Sequence, residues 1–181
     1  MNSKIDEIFN TIRTLEEQLK QELEQEEEQL SLNLLSVQKK FKESLLHYLW
    51  HTPVLYYLTA PIIYAGIIPA FILEIFLFVY QMINFRVYKI APVIRKDYFV
   101  FDRTNLDFLN IIEKINCFYC SYFSGLLQYT MEIIGRTELF WCPIRHARKL
   151  RAHHAHYLKF IPYGDAKRYR EELPKIRKDL M

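Results

Sequence analysis

The chain has 181 residues, room for one compact domain and an appendage. It is 51% hydrophobic and 15% aromatic, too apolar for a disordered chain, and its four glycines (Gly66, Gly125, Gly135, Gly164) are scattered, which excludes a glycine-rich phosphate cradle. The net charge of +3 hides an asymmetry: residues 1–50 carry 6 Lys/Arg against 10 Asp/Glu, and residues 86–181 carry 18 against 10.

A basic half beside an apolar block suits anionic lipid headgroups as partner. No nucleic-acid motif accompanies the charge, so nucleic acid is not an expected partner. Three cysteines do not form a paired disulfide framework and suit a reducing compartment. The polar first forty residues predict no cleavable signal peptide.

In chain order, residues 4–49 read as one long amphipathic helix. Ile5, Ile8, Ile12, Leu15 and Leu19 follow coiled-coil spacing. Glu22 and Glu26 interrupt that seam, and it resumes in a new phase at Leu30, Leu34, Val37 and Phe41. The expected uses are packing on its own chain or homo-oligomerisation, with the second favoured.

The apolar block follows, within residues 44–86. Between Pro53 and Phe85 the only group charged at neutral pH is Glu74. The stretch exceeds the roughly 20 residues of one upright span. Gly66 and Pro69 interrupt it, so a transmembrane hairpin with arms Leu45–Ala65 and Ile67–Phe85 is expected. Lys39, Lys40 and Lys42 before it, and Arg86, Lys89, Arg95 and Lys96 after it, place both ends on the cytoplasmic side. The alternative is a single tilted span over 61–85, with the preceding helix in the interface. Glu74 is costly in hydrocarbon. It reads either as a proton or substrate contact, or as a protonated group bonded to a neighbouring helix.

Residues 87–181 read as a cytoplasmic or membrane-surface helical domain. A linker through residue 102 leads to a helix capped by Thr104 and Asp107 and running to Ile134. A loop at Arg136 and Thr137 precedes a basic helix opened by Pro143, and Asp165 caps a last polar helix.

All three cysteines fall in one pattern: Cys117-x2-Cys120, then Cys142-x3-His146. Spacings of three and four put each pair on one helix face. Two such helices laid antiparallel would gather the Cys3His set that suits zinc, or with other chemistry an iron–sulfur cluster. Glu113, one turn before Cys117, and Asn116 are expected to orient the ligands, and Glu113 also suits a general base. A redox dithiol at Cys117 and Cys120 is disfavoured because the pair sits mid-helix, away from the stabilising helix start. The bland reading is thiols packed in a helical interface. His153, His154 and His156 read as part of a basic interfacial segment, or as a second metal site.

At Asp102-Arg103, Glu113 to Cys117, Arg136-Thr137-Glu138 and Trp141 to Ala147, the chain resembles a family of uncharacterised bacterial membrane proteins with the pattern DR…EKxNCxYC…RTExxWCPI[KR]HA. That resemblance implies membrane association, in a bacterial inner membrane, and no particular activity. The expectation is an all-α, membrane-anchored protein. Its Cys3His metal centre would be structural or binding; the alternatives are a membrane-associated oxidoreductase and a coiled-coil scaffold without chemistry.

Overall fold

A computed structural model describes residues 11–12, 14–23, 25–26, 41–42 and 44–181. The chain groups into two contact units, Met1–His51 with Asn105–Ile112, and Thr52–Thr104 with Glu113–Met181. The described residues are mostly helical and form no β-strand.

In the smaller unit, the described residues between 11 and 26 are helical, and Ile12, Leu15 and Leu19 of the seam are exposed. Of the remaining seam positions, Ile5, Ile8, Leu30, Leu34 and Val37 lie outside the described residues, and Phe41 is exposed. The helix does not continue unbroken to 49. Residues 42 and 44 are not helical. A short helix, α1 (Leu45–His51), starts afresh, with Tyr48 N–H donating to the Ser44 carbonyl at 2.9 Å. At the other end of this unit Asn110 Oδ1 accepts from Ile112 N–H at 3.0 Å and opens a long helix.

The larger unit begins with α2 (Val54–Ala65) and α3 (Ile67–Tyr80). These do not form a hairpin. Gly66 has right-handed helical angles, φ −58° and ψ −20°, and the chain runs on as one apolar helix from Val54 to Tyr88. The reason is tertiary. Pro69 cannot donate a helical hydrogen bond, but Gly66 leaves room for a neighbouring tyrosine: a Cβ there would meet Tyr119 Oη at 2.9 Å. That hydroxyl donates to the Ile63 carbonyl at 2.5 Å, which ties α4 to the turn just before Gly66 and leaves no room for the chain to fold back there. Just beyond α3 the helix widens into a π-turn, Gln81–Phe85, and ends where Lys89 adopts the left-handed conformation, φ 58°.

The chain then doubles back through residues 90–104, and α4 (Ile111–Trp141) runs alongside the first helix. The helix does not start at Thr104, because that hydroxyl is engaged on its own backbone, donating to the Phe101 carbonyl at 2.6 Å. It does not stop at Gly135 either; it continues to Trp141. Pro143 opens no helix. Its carbonyl accepts from Ile161 N–H at 2.7 Å, and Arg145 N–H donates to the Ile161 carbonyl at 2.8 Å. This Ile144–Ile161 bridge closes the basic segment into a loop. The last helix, α5 (Ala166–Leu180), is capped as expected, Asp165 accepting from Arg168 N–H at 3.0 Å. Arg177 of α5 donates to the Phe140 carbonyl at 2.8 Å, capping the end of α4.

One core joins these elements: Leu77 and Phe85 from the first helix, Ile90, Val93 and Phe99 from the returning segment, and Leu126, Tyr129 and Ile133 from α4. Gly125 is its tightest point. A Cβ there would lie 2.8 Å from the Tyr98 carbonyl oxygen and 3.1 Å from Phe99 Cα, backbone atoms that cannot swing aside. Gly125→Ala should therefore destabilise the protein by about 1–3 kcal/mol in thermal or denaturant unfolding. Gly66→Ala, facing the movable tip of a tyrosine, should cost less; equal tolerance at both positions would contradict this packing.

Candidate functional site

The site forms where the π-turn, the returning segment and α4 meet. Glu74 is paired on both carboxylate oxygens. Arg95 Nε donates to its Oε1 at 2.5 Å, and Tyr122 Oη donates to its Oε2 at 2.7 Å. Arg95 also lies over the Phe99 ring, 3.9 Å from its centroid. The Glu74 side chain is 16% exposed and Arg95 50%, so the pair sits at the lip of the core, not at its centre. Two turns further along, Gln81 is buried and bridges two elements: its amide donates to Tyr129 Oη at 2.5 Å, and its carbonyl accepts from Val93 N–H at 2.7 Å. These two polar links fasten the returning strand of chain to the helices.

Beside them lies a cavity of about 790 Å³. That is within the range of small-molecule sites. Its walls are apolar, from Phe71, Ile75, Phe78, Met82 and Phe85 on the first helix and Ile90 and Val93 on the returning segment. Its polar groups are few and mainly basic: Arg86, Lys89 and Arg95, with Glu74 held by Arg95 and Gln81 held by Tyr129 and Val93. Arg86 and Lys89 are exposed. The chemistry on offer is burial of a hydrocarbon chain with an anionic group placed at the rim.

A second polar cluster holds the basic loop against α4. Glu132 Oε1 accepts from Arg136 Nε at 2.7 Å and lies 3.0 Å from His156 Nε2. Glu138 Oε2 lies 3.0 Å from His154 Nε2. Arg136 also donates to the Ala91 carbonyl at 2.6 Å. Gly135 lets the two histidines approach, since a Cβ there would lie 2.8 Å from His154 Nδ1. Burial pushes the Glu132 carboxyl up, but the hydrogen bonds and charges of His156 and Arg136 outweigh it, so its pKa falls below the usual value.

The sequence-derived ligand set is not brought together. Cys117 and Cys120 lie on the N-terminal half of α4, and Cys142 follows its last residue. With about 1.5 Å of rise per residue, about 33 Å of unbroken helix separates Cys120 from Cys142. His146 sits in the basic loop, its ring stacked on Tyr157 at 6.2 Å. Asn116 bonds to Tyr64 of the first helix, tying the two helices together instead of orienting a metal ligand. Glu113 lies on the first turn of α4. Among the described residues no three His, Cys, Asp or Glu side chains are grouped to hold a metal ion. Sequence reading missed Gln81, Tyr129 and the Arg95 partnership because each depends on the returning segment, which no linear motif marks. The one local signal was Glu132 four residues before Arg136 on a helix.

No family model, curated protein or solved structure matches the chain.

Two outcomes follow from this geometry. Arg95→Ala should cost about 1–3 kcal/mol in unfolding, and the added cost should shrink in a Glu74→Gln background, because the charge left without its partner is gone. Additive costs in that double-mutant cycle would mean the pair does not act as a unit. A bifunctional maleimide spanning about one helical turn should bridge Cys117 to Cys120 within a chain and leave Cys142 unlinked to either; peptide mapping after digestion reads this directly.

Proposed function

We propose that the protein is a membrane-associated binding protein, and that its cavity takes the hydrocarbon chain of an anionic amphiphile whose acidic group rests against Arg86 and Lys89. The observation that carries this reading is the lining itself: a concave apolar space edged by basic side chains, on a protein with an apolar helix from Val54 to Tyr88. That helix is long and apolar enough to cross a membrane by length and composition. An apolar tail gains from burial in the cavity about 0.8 kcal/mol per CH₂. Arg86 and Lys89 then discriminate by charge, since a neutral headgroup offers them no charge-assisted hydrogen bond. The carboxylate that would repel an acidic ligand, Glu74, is already engaged by Arg95 and Tyr122.

Binding of this kind requires no catalysis. The reading therefore supports a carrier, sensor or lipid-dependent scaffold at the membrane, with lipid as both surroundings and ligand.

The test compares chains of equal length with different heads. In detergent-free nanodiscs, oleate or lysophosphatidate should displace a fluorescent fatty acid from the purified protein, and oleyl alcohol should do so at least tenfold more weakly. Arg86→Ala combined with Lys89→Ala should weaken the anionic ligands by roughly tenfold, about 1.4 kcal/mol, and leave oleyl alcohol unchanged. Equal affinity for the charged and neutral chains would refute the proposed headgroup site.

A further inference from the structure

We infer that the Val54–Tyr88 helix and α4 lie together in the plane of one anionic leaflet, as a two-helix raft, and that neither crosses the bilayer. The inference concerns the outer surface and does not depend on what fills the cavity.

The two helices run in the same direction. Tyr64 pairs with Asn116, Glu74 with Tyr122 at 2.7 Å, Gln81 with Tyr129 at 2.5 Å, and Tyr88 stacks near Phe140 with ring centroids 5.1 Å apart, so both numbers climb together. Parallel neighbours need a connection that travels the whole way back. It does so across one side of the pair: Val93 meets Gln81 at 2.7 Å, Arg95 meets Glu74 at 2.5 Å, and Phe101 stacks on Phe118 at 4.8 Å. Lys96, Asp97, Asp102 and Arg103 are exposed along it, and two further charged residues, the half-buried Glu113 and Lys114, stand at the start of α4.

This placement decides between crossing and lying flat. The helix is 35 residues long, about 52 Å, against a hydrocarbon core of about 30 Å. Any crossing window of about 20 residues places exposed charges in hydrocarbon. The C-terminal windows take in Arg95, Lys96 and Asp97. The N-terminal window takes in the exposed Asp102 and Arg103 and the half-buried Glu113 and Lys114. It would also carry irregular backbone to mid-depth, where only buried or cavity-lining backbone is tolerated. The stretch ahead of the Tyr64–Asn116 pair, 54–63, is about 15 Å long, half of what a crossing needs.

The opposite side of the pair has the complementary character. Tyr122, Gly125 and Tyr129 of α4 face the returning segment. At 100° per residue Leu127, Met131 and Ile134 then project from the far side, and all three are exposed. On the first helix Glu74 and Gln81 face the returning segment, so Ile72, Phe76, Val79 and Ile83 project from the same far side, also exposed. Gln128 on α4 donates to the Ser124 carbonyl of its own helix at 3.2 Å, which quiets one polar group near that face. An apolar underside, a charged top and the excess of Lys and Arg in residues 86–181 match an interfacial helix pair on an anionic leaflet.

The test uses sided proteoliposomes of phosphatidylcholine with and without phosphatidylglycerol. In a background with the native cysteines changed to serine, single Lys89→Cys, Asp97→Cys, Arg103→Cys and Lys114→Cys substitutions report water access along the full length. All four should react with a membrane-impermeant maleimide from one and the same side, at rates within about threefold, and phosphatidylglycerol should increase vesicle binding at least tenfold. Reaction of Lys89→Cys and Lys114→Cys from opposite sides, or protection of positions 97 and 103, would overturn the raft. Unsubstituted protein gives the independent measurement. Polarised infrared dichroism should place the helices near the membrane plane, and a tilt near the bilayer normal overturns the inference. A third arm addresses the rival occupant of the apolar face, a second copy of the chain. Spin labels at Val79→Cys and Leu127→Cys should be broadened by lipid-soluble oxygen in vesicles; shielding by chain–chain contact instead, with no lipid access, refutes the leaflet as partner.

Discussion

The grip of Arg95 on Glu74, with Tyr122 on the second carboxylate oxygen, governs how the larger unit is arranged. A connection between parallel helices has no hydrogen-bonding ladder of its own, so its position depends on what side chains offer it. Here one charged clasp and one amide, Gln81, provide those anchors, and Phe99 fills the space that Gly125 leaves open. Each is modest alone. Together they place a polar strand of chain on one side of two greasy helices, and the cavity is the gap left between that strand and the π-turn. The π-turn belongs to the same arrangement: widening the helix at Gln81–Phe85 accompanies the inward aim of Gln81 and the burial of Phe85.

The sequence made the helical character and the apolar block readable, because both rest on composition and on periodicities only a few residues long. The Asp165 cap was readable for the same reason: one side chain meets a backbone group three residues away. The failures share a cause as well. Gly66 with Pro69 looks like a turn, yet Tyr119, more than fifty residues distant, stabilises a continuous helix there. Gly135-Arg136-Thr137 looks like a loop, yet Gly135 is small because two histidines of the basic loop press on it, and the helix passes straight through. Reading that glycine as a break was the step that made CxxC and CxxxH seem able to fold back on each other. With the break removed, the spacing that suggested convergence measures separation. Glu74 was legible as a group needing a partner. Its partner was not, because choosing Arg95 over Arg86 or Lys89 requires knowing where the chain returns.

The N-terminal seam is a different case. Ile12, Leu15 and Leu19 are exposed, and most of the seam that suggested a coiled coil lies outside the described residues.

A hydropathy window counts only the residues inside it, and by that count Val54–Tyr88 is long and apolar enough to cross a membrane. Crossing, however, is a property of every atom that shares the helix's depth. A hairpin of two antiparallel helices needs only a short turn, which stays outside the hydrocarbon. Two parallel helices need a connection as long as themselves, and that connection has to lie somewhere. When it carries Arg95, Lys96, Asp97, Asp102 and Arg103 along the helices' flank, the same apolar sequence that would favour crossing instead favours lying flat, with one side in acyl chains and the other in water. In the interfacial arrangement we propose, the orientation of the strongest apolar segment is thus set by the polar stretch packed against it. In that reading a cavity beside Arg86 and Lys89 opens at headgroup depth, where an amphiphile can enter tail first without its charge leaving the interface.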